Sequence, residues 1–131
     1  MIVLATGEDA VECLTSFARE HQLQGSHFTG IGAFSSAVVG YFDWDKKDYR
    51  KIPISEQVEV LSLVGDVSVG EDGPKVHAHV VLGKQDASAH GGHLLNGQVR
   101  PTLEIVLTEA PTHLRRRYDP QSGLALIDPT K

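Results

Sequence analysis

The chain has one cysteine, few aromatics, no long apolar run and no excess of positive charge. A lone Cys13 closes no intramolecular disulfide, and one thiol excludes a Cys-rich zinc finger or a four-cysteine iron–sulfur cluster. A reducing, cytoplasmic setting is the expectation. None of the 131 residues falls in a stretch of roughly 20 apolar residues, the length that spans a bilayer, so no membrane helix is expected. The opening Met1-Ile2-Val3-Leu4-Ala5-Thr6-Gly7-Glu8 has no basic leader and meets an acid early, unlike a secretory signal. Lys+Arg number 12 against 17 Asp+Glu, a formal net charge of −5. That balance counts against a general nucleic-acid binder, because phosphate affinity comes largely from Lys and Arg.

What is present is an ordinary globular composition. The apolar set AVILMFWYC makes up 40% of the chain, and trading the three tyrosines for the 13 glycines brings the share to roughly 47%, inside the usual about 45–50%. No repeat or linker divides the chain, so residues 1–131 read as a single domain with its own core. Residues 1–5 read as a short strand. Thr6-Gly7-Glu8-Asp9 has the spacing of a capping box with a shorter acid, and Ala10, Val11, Leu14, Phe17 and Ala18 follow on one face of a helix running to about His21. Short β-rich runs then cover 27–34, 36–43, 49–53, 57–69, 76–83, 87–94, 102–109, 113–118 and 124–127. Segment 41–49 reads as a hairpin with a charged tip, and Gly70-Glu71-Asp72-Gly73-Pro74 as a turn. One helix with many hairpin-connected strands predicts an α+β fold around a mainly antiparallel sheet.

The seven histidines carry the chemistry. In Val76-His77-Ala78-His79-Val80 the strand period of two projects His77 and His79 from one face. A strand returning through a turn near 83–88 brings His93 of His90-Gly91-Gly92-His93-Leu94 beside them. Three neutral imidazoles at roughly 2.0–2.1 Å from Zn²⁺ leave one coordination position open, the pattern of catalytic zinc. An ordinary polar strand face with His93 at a turn is the competing reading. Gly91-Gly92 let the backbone bend or approach closely next to His93. His90 is either exposed or turned back by a bulge as a fourth ligand.

Glu104, inside Pro101-Thr102-Leu103-Glu104-Ile105-Val106-Leu107, is an acid in a β-apolar run. It is the candidate catalytic acid/base or orienter of a ligand histidine; the alternative is the polar face of an edge strand. Arg115-Arg116-Arg117 is the basic cluster, read first as solvated or salt-bridging and second as a phosphate patch. Ser35-Ser36 lacks a nucleophile elbow, and Gly30-Ile31-Gly32 lacks the third glycine of a dinucleotide loop; both read as tight packing. Cys13 has no basic neighbour and reads as structural. Trp44 at the 43–48 tip reads as an oligomer contact or a local lid on the sheet.

Together these residues resemble the plants-and-prokaryotes conserved (PPC) domain over nearly the whole chain. The resemblance runs through Gly7-Glu8-Asp9, Thr29-Gly30-Ile31-Gly32-Ala33-Phe34-Ser35, Glu59-Val60-Leu61-Ser62-Leu63-Val64-Gly65, Val76-His77-Ala78-His79, Gly91-Gly92-His93-Leu94, Thr102-Leu103-Glu104-Ile105-Val106-Leu107 and Arg117-Tyr118-Asp119 with Ser122-Gly123-Leu124. It implies an antiparallel sheet flanked by a few helices, a homotrimer, stand-alone prokaryotic members of about this length, and a metal held by the histidines that match His77, His79 and His93. The fold it implies is similar to acetolactate decarboxylase and to a human zinc-dependent ester hydrolase. It transfers no activity, because fold analogy names no substrate. No Arg-Gly-Arg-Pro core of an AT-hook occurs, and His90 stands where many members carry an apolar or aromatic residue.

The expectation is therefore a trimer binding a divalent metal, Zn²⁺ first, in a pocket shared between subunits, with a small oxygen-rich ligand and Glu104 as acid/base if it is an enzyme. A DNA-binding or regulatory module is the alternative. Its support is the arginine cluster, and a trimer with three times the −5 charge needs a strongly polarised surface to hold DNA.

Overall fold

The turn read at residues 70–74 joins β4 (Val58–Gly70) to β5 (Gly73–Gly83) as an antiparallel hairpin, with Gly70 opposite Gly73. The computed structural model describes residues 1–110 and 113–129. Before the hairpin come β1 (Ile2–Ala5), α1 (Ala10–Glu20), β2 (Gly25–Asp43) and β3 (Asp48–Ile54); after it come β6 (Ala89–Glu109), β7 (Arg116–Asp119) and β8 (Leu124–Ile127). The charged tip expected at 41–49 is the β2–β3 hairpin, closed by Asp43 opposite Asp48.

Six strands form one sheet in the order β1-β6-β5-β4-β2-β3, and β2 also pairs with β6. Strands β6, β5, β4 and β2 therefore close on themselves, and every named strand pairing is antiparallel. Strands β7 and β8 make a separate two-stranded sheet. The fold is α+β as expected, and its helical part among the described residues is the single helix α1. No helix of the described residues is long and apolar enough to cross a membrane.

Two expected breaks are absent. Runs 27–34 and 36–43 are one strand, β2, and runs 87–94 and 102–109 are one strand, β6. Both strands have partners along both edges, so their glycines and Pro101 are absorbed as register shifts and a cis Arg100–Pro101 bond instead of ending the ladder.

Helix α1 buries Ala10, Leu14 and Ala18 against the core, with Val11, Cys13 and Phe17 packed partly buried beside them. Its cap differs from the expectation. Asp9, not Thr6, is the N-cap: Asp9 Oδ1 accepts from Val11 N at 2.9 Å and Glu12 N at 3.0 Å. Thr6 Oγ1 instead donates to the Pro101 carbonyl. The other Asp9 oxygen accepts from Gly97 N and Gln98 Nε2 of β6, so one carboxylate caps the helix and ties it to the sheet. The core is filled by Phe28, Phe34, Leu14, Leu63, Leu82, Leu103 and Ile105, all almost fully buried.

Candidate metal centre

Strand β5 runs beside β6 with His79 directly opposite His93, and His77 lies two residues back on β5. Direct partners on an antiparallel pair hold their Cβ atoms about 4.5–5.5 Å apart, so all three rings share one small region of one face. The Nε2 atoms of His77 and His79 are 3.2 Å apart, and one nitrogen from each of the three rings lies within 4.8 Å of the others. Gly91 and Gly92 permit this approach. A Cβ at Gly91 would meet the Val80 carbonyl oxygen at 2.6 Å, and one at Gly92 the Gly40 carbonyl oxygen at 2.7 Å.

The residues present fit a metal. Two nitrogens bound tetrahedrally to one zinc at about 2.0–2.1 Å sit roughly 3.3 Å apart, close to the His77–His79 separation. His93 Nδ1 is buried without a hydrogen-bond partner. Such an atom calls for an explanation, and an ion is one of them. Two of the imidazoles, His79 and His93, are also held in the form a metal needs. Burial, then the neighbouring His77 and His79, push the His93 pKa down to about 4. Burial and His77 lower that of His79 as well, against an opposing pull from Asp66. Neutral rings at physiological pH present lone pairs without first losing a proton.

Three further side chains complete the surroundings: Asp66 and Tyr49, which sequence reasoning did not single out, and Arg116 of the basic cluster, whose salt-bridging reading the Asp66 pair bears out. Asp66 on β4 is the register partner of His77. Its Oδ2 is 3.5 Å from His77 Nδ1, and its Oδ1 accepts from Arg116 Nη2 at 2.9 Å. Burial alone would raise the Asp66 carboxyl, but the His77 hydrogen bond and the Arg116 guanidinium outweigh it and hold it below its ordinary value. Tyr49 on β3 stacks on His93, and burial raises its phenol although Arg116 pulls the other way. A signal for Asp66 was available: stepping back four residues on each side from Gly70 and Gly73 sets it across from His77. Tyr49 had none, and the salt-bridging reading of Arg116 named no partner, because both arrive from outside this hairpin.

The remaining candidates separate from the cluster. His90 is exposed, opposite Leu82, with Nε2 3.1 Å from Ser88 Oγ, and is not in the three-histidine group. Glu104 is exposed on β6, opposite Ile31 of β2 and Val3 of β1. It lies eleven residues beyond His93, roughly 36 Å of strand contour, in a groove with Glu59, Leu61 and Thr102. Arg116 turns inward while Arg115 and Arg117 face out, as strand alternation requires. Ser35 is half-buried, with its Oγ facing the Gln98 carbonyl oxygen at 3.4 Å.

Fold and site together define a small α+β protein whose mainly antiparallel sheet carries a cluster of three histidines. The chain belongs to the Plants and Prokaryotes Conserved (PCC) domain family, whose model matches residues 1–111. No curated protein matches the sequence. Among solved structures, a plant- and prokaryote-conserved protein from Pyrococcus horikoshii is 34% identical, with a TM-score of 0.91 over 99% of this chain and 90% of its own. A metal-containing protein from Archaeoglobus fulgidus is 39% identical, with a TM-score of 0.87 over 96% of this chain and 89% of its own. A protein from Ralstonia eutropha, provisionally described as DNA-binding, is 29% identical, with a TM-score of 0.90 over 97% and 88%.

Proposed function

We propose that this chain binds a divalent metal, zinc first, through His77, His79 and His93, and that it does so as a homotrimer. The observation that carries the reading is the convergence of three imidazole nitrogens within 4.8 Å of one another. The metal-containing relative from Archaeoglobus fulgidus supports it. Three histidine ligands leave a position for a small oxygen-rich ligand such as a carboxylate, which the metal would polarise as a Lewis acid.

The trimer is supported by the surface around the site. Val3, Ile31, Leu61, Val64, Val81 and Val106 are large apolar side chains left exposed on the sheet. Val64 and Val81 share a shallow groove with His79 and Gly91, so the apolar surface runs into the histidine site. Contiguous exposed apolar surface marks an interaction site, and a second copy is the partner proposed for it. An enzymatic role for Glu104 requires a neighbouring subunit to supply it, given its distance along β6 from the histidines of its own chain. The half-buried, unpaired Cys13 suits a cytoplasmic setting.

The test is metal content of untagged wild type, His79→Ala and His93→Ala, with sedimentation velocity on the same samples. About one metal per chain in wild type and loss in both variants is expected for a three-histidine site. Equal occupancy in all three overturns the ligand assignment, and a monomer overturns the assembly.

A DNA-associated role is the second reading, favoured by the Ralstonia eutropha relative. Arg115 and Arg117 are exposed, but Arg116 is committed to Asp66 and Ser68, and the chain carries −5 overall. Fluorescence anisotropy with duplex DNA decides: absence of binding that weakens with added salt removes this reading.

A further inference from the structure

Arg116 lies beyond residues 1–111 that the family model matches, yet its side chain reaches the histidine site. The backbone delivers it there. Val69 N donates to the Leu114 carbonyl at 2.7 Å, and Val69 and Arg115 form a parallel bridge, so the start of β7 docks along the end of β4. The next residue, Arg116, then points inward with its side chain only 10% exposed. Its three nitrogens are all engaged. Nε donates to Ser68 Oγ, Nη1 to the Ala125 carbonyl at 2.8 Å, and Nη2 to Asp66 Oδ1 at 2.9 Å. Ser68 is fully buried and Ala125 belongs to β8, so the guanidinium is held from the sheet on one side and from the hairpin on the other.

This leaves Asp66 with one free oxygen, and that oxygen faces His77 Nδ1 at 3.5 Å. A carboxylate only accepts hydrogen bonds, so the contact favours the His77 tautomer with its proton on Nδ1. The lone pair is then on Nε2, the atom 3.2 Å from His79 Nε2. A carboxylate behind a ligating histidine sets ring orientation in this way, and its own partners matter in turn. With Oδ1 occupied by Arg116, Asp66 is also kept from swinging in as a ligand itself, and it is absent from the group of potential ligands among the described residues.

We propose that the Arg116–Asp66 pair is the positioning device of the histidine site: the β7–β8 hairpin clamps Asp66, and Asp66 fixes the tautomer and direction of His77. The consequence for metal selection rests on the metal-binding reading above; the tautomer does not. The C-terminal hairpin is thereby part of the site, and a change there reaches the metal without touching a ligand.

The test separates the two layers. Long-range ¹H–¹⁵N correlation spectra of the metal-free chain report the His77 tautomer in wild type, Asp66→Asn, Arg116→Gln and Arg116→Lys, with amide spectra confirming the fold of each. The Nδ1–H form in wild type, its loss in Asp66→Asn and Arg116→Gln, and its recovery in Arg116→Lys are expected. An unchanged His77 tautomer in folded Asp66→Asn and Arg116→Gln overturns the proposal. Chelator competition and the visible spectrum of Co²⁺ then follow the metal. Arg116→Gln is expected to weaken Co²⁺ about 10–100-fold and to change its ligand-field bands. Wild-type affinity and bands in Arg116→Gln overturn the metal consequence, whereas wild type that takes up no Co²⁺ overturns the metal-binding reading and leaves the tautomer result standing.

Discussion

Tyr49 lies against His93 with ring centroids 4.4 Å apart and planes inclined by 28°. The two residues come from strands that do not pair directly: among the described residues β3 borders only β2, and β2 lies between it and the part of β6 that carries His93. Phe42 packs edge-on against Tyr49, and the exposed Trp44 packs edge-on against Phe42. Trp44 thus sits at the end of an aromatic row with its own ring largely exposed, a placement that both the local-lid and the oligomer-contact readings share. Tyr49 removes one face of His93 from water, and burial is the largest cause of that imidazole's lowered pKa.

Tyr49→Ala should therefore raise the His93 pKa from about 4 toward the ordinary histidine value, while Tyr49→Phe should leave it near 4. An NMR titration of the metal-free imidazole checks this. No movement in Tyr49→Ala would show that the strands, not the stacked ring, desolvate His93.

Stability of the metal-free chain should fall as pH drops from about 6.5 to about 4. The sign follows from proton counts. The folded His93 titrates near 4 and the unfolded one near 6.5, so the unfolded chain binds the extra proton throughout that window and acid favours it. After discounting for the partial exposure of the ring, the loss should be about 1–2 kcal/mol, and His93→Gln should flatten it. Urea titrations at several pH values measure the slope, and an unchanged slope in His93→Gln would sink the assignment.

Added Zn²⁺ should raise the melting temperature of wild type and not of His79→Ala. A ligand that binds only the folded chain adds about 2.7 kcal/mol at one hundred times its dissociation constant. Calorimetry with and without chelator reads the shift, and an equal shift in the variant would place the ion elsewhere.

Gly92→Ala should weaken metal binding without touching a ligand. Its Cβ would meet the Gly40 carbonyl oxygen at 2.7 Å, so β6 must move away from β2 next to His93. A dissociation constant equal to that of wild type would show that the strands absorb the displacement without moving the ring.

Asp9→Ala should cost about 2–4 kcal/mol, combining a lost helix cap with an unpaired buried Gly97 N–H. Thr6→Ala should cost under about 1 kcal/mol, since its hydroxyl makes one exposed hydrogen bond. Chemical denaturation of the two variants compares them, and equal losses would contradict the cap seen here.

Much of the site was legible because the signals are local. His77 and His79 share a face by strand period alone, and the turn expected near 83–88 is enough to bring β6 back beside them. The glycine pair is a place of close approach, as expected, and not a bulge against β5 that re-aims His93, since the register with β5 runs through it unbroken. The cap differs from the expectation because Thr6 and Asp9 both have capping side chains, and contacts to β6, about ninety residues away, engage both: Thr6 bonds to Pro101, while Gly97 and Gln98 hold Asp9 at the helix start. The breaks expected near Ser35 and Pro101 failed for a related reason: propensity is overridden where a strand has partners on both edges.

The sequence by itself determined the class of fold, the face on which three histidines could meet, and the family whose motifs it carries. Apart from Asp66, which the hairpin register already sets across from His77, tertiary structure decided which side chains stand behind those histidines. Asp66 reaches His77 from β4, Tyr49 reaches His93 from β3, and Arg116 acts from β7 through Asp66, an arrangement set by pairings between distant segments. The tertiary structure also decided that His93 and Glu104 lie on one unbroken strand, so that Glu104 is carried away from the histidines instead of being folded back toward them. Periodicity fixes a side chain's direction from its own backbone; its neighbours depend on pairings between distant segments, which only the folded chain contains.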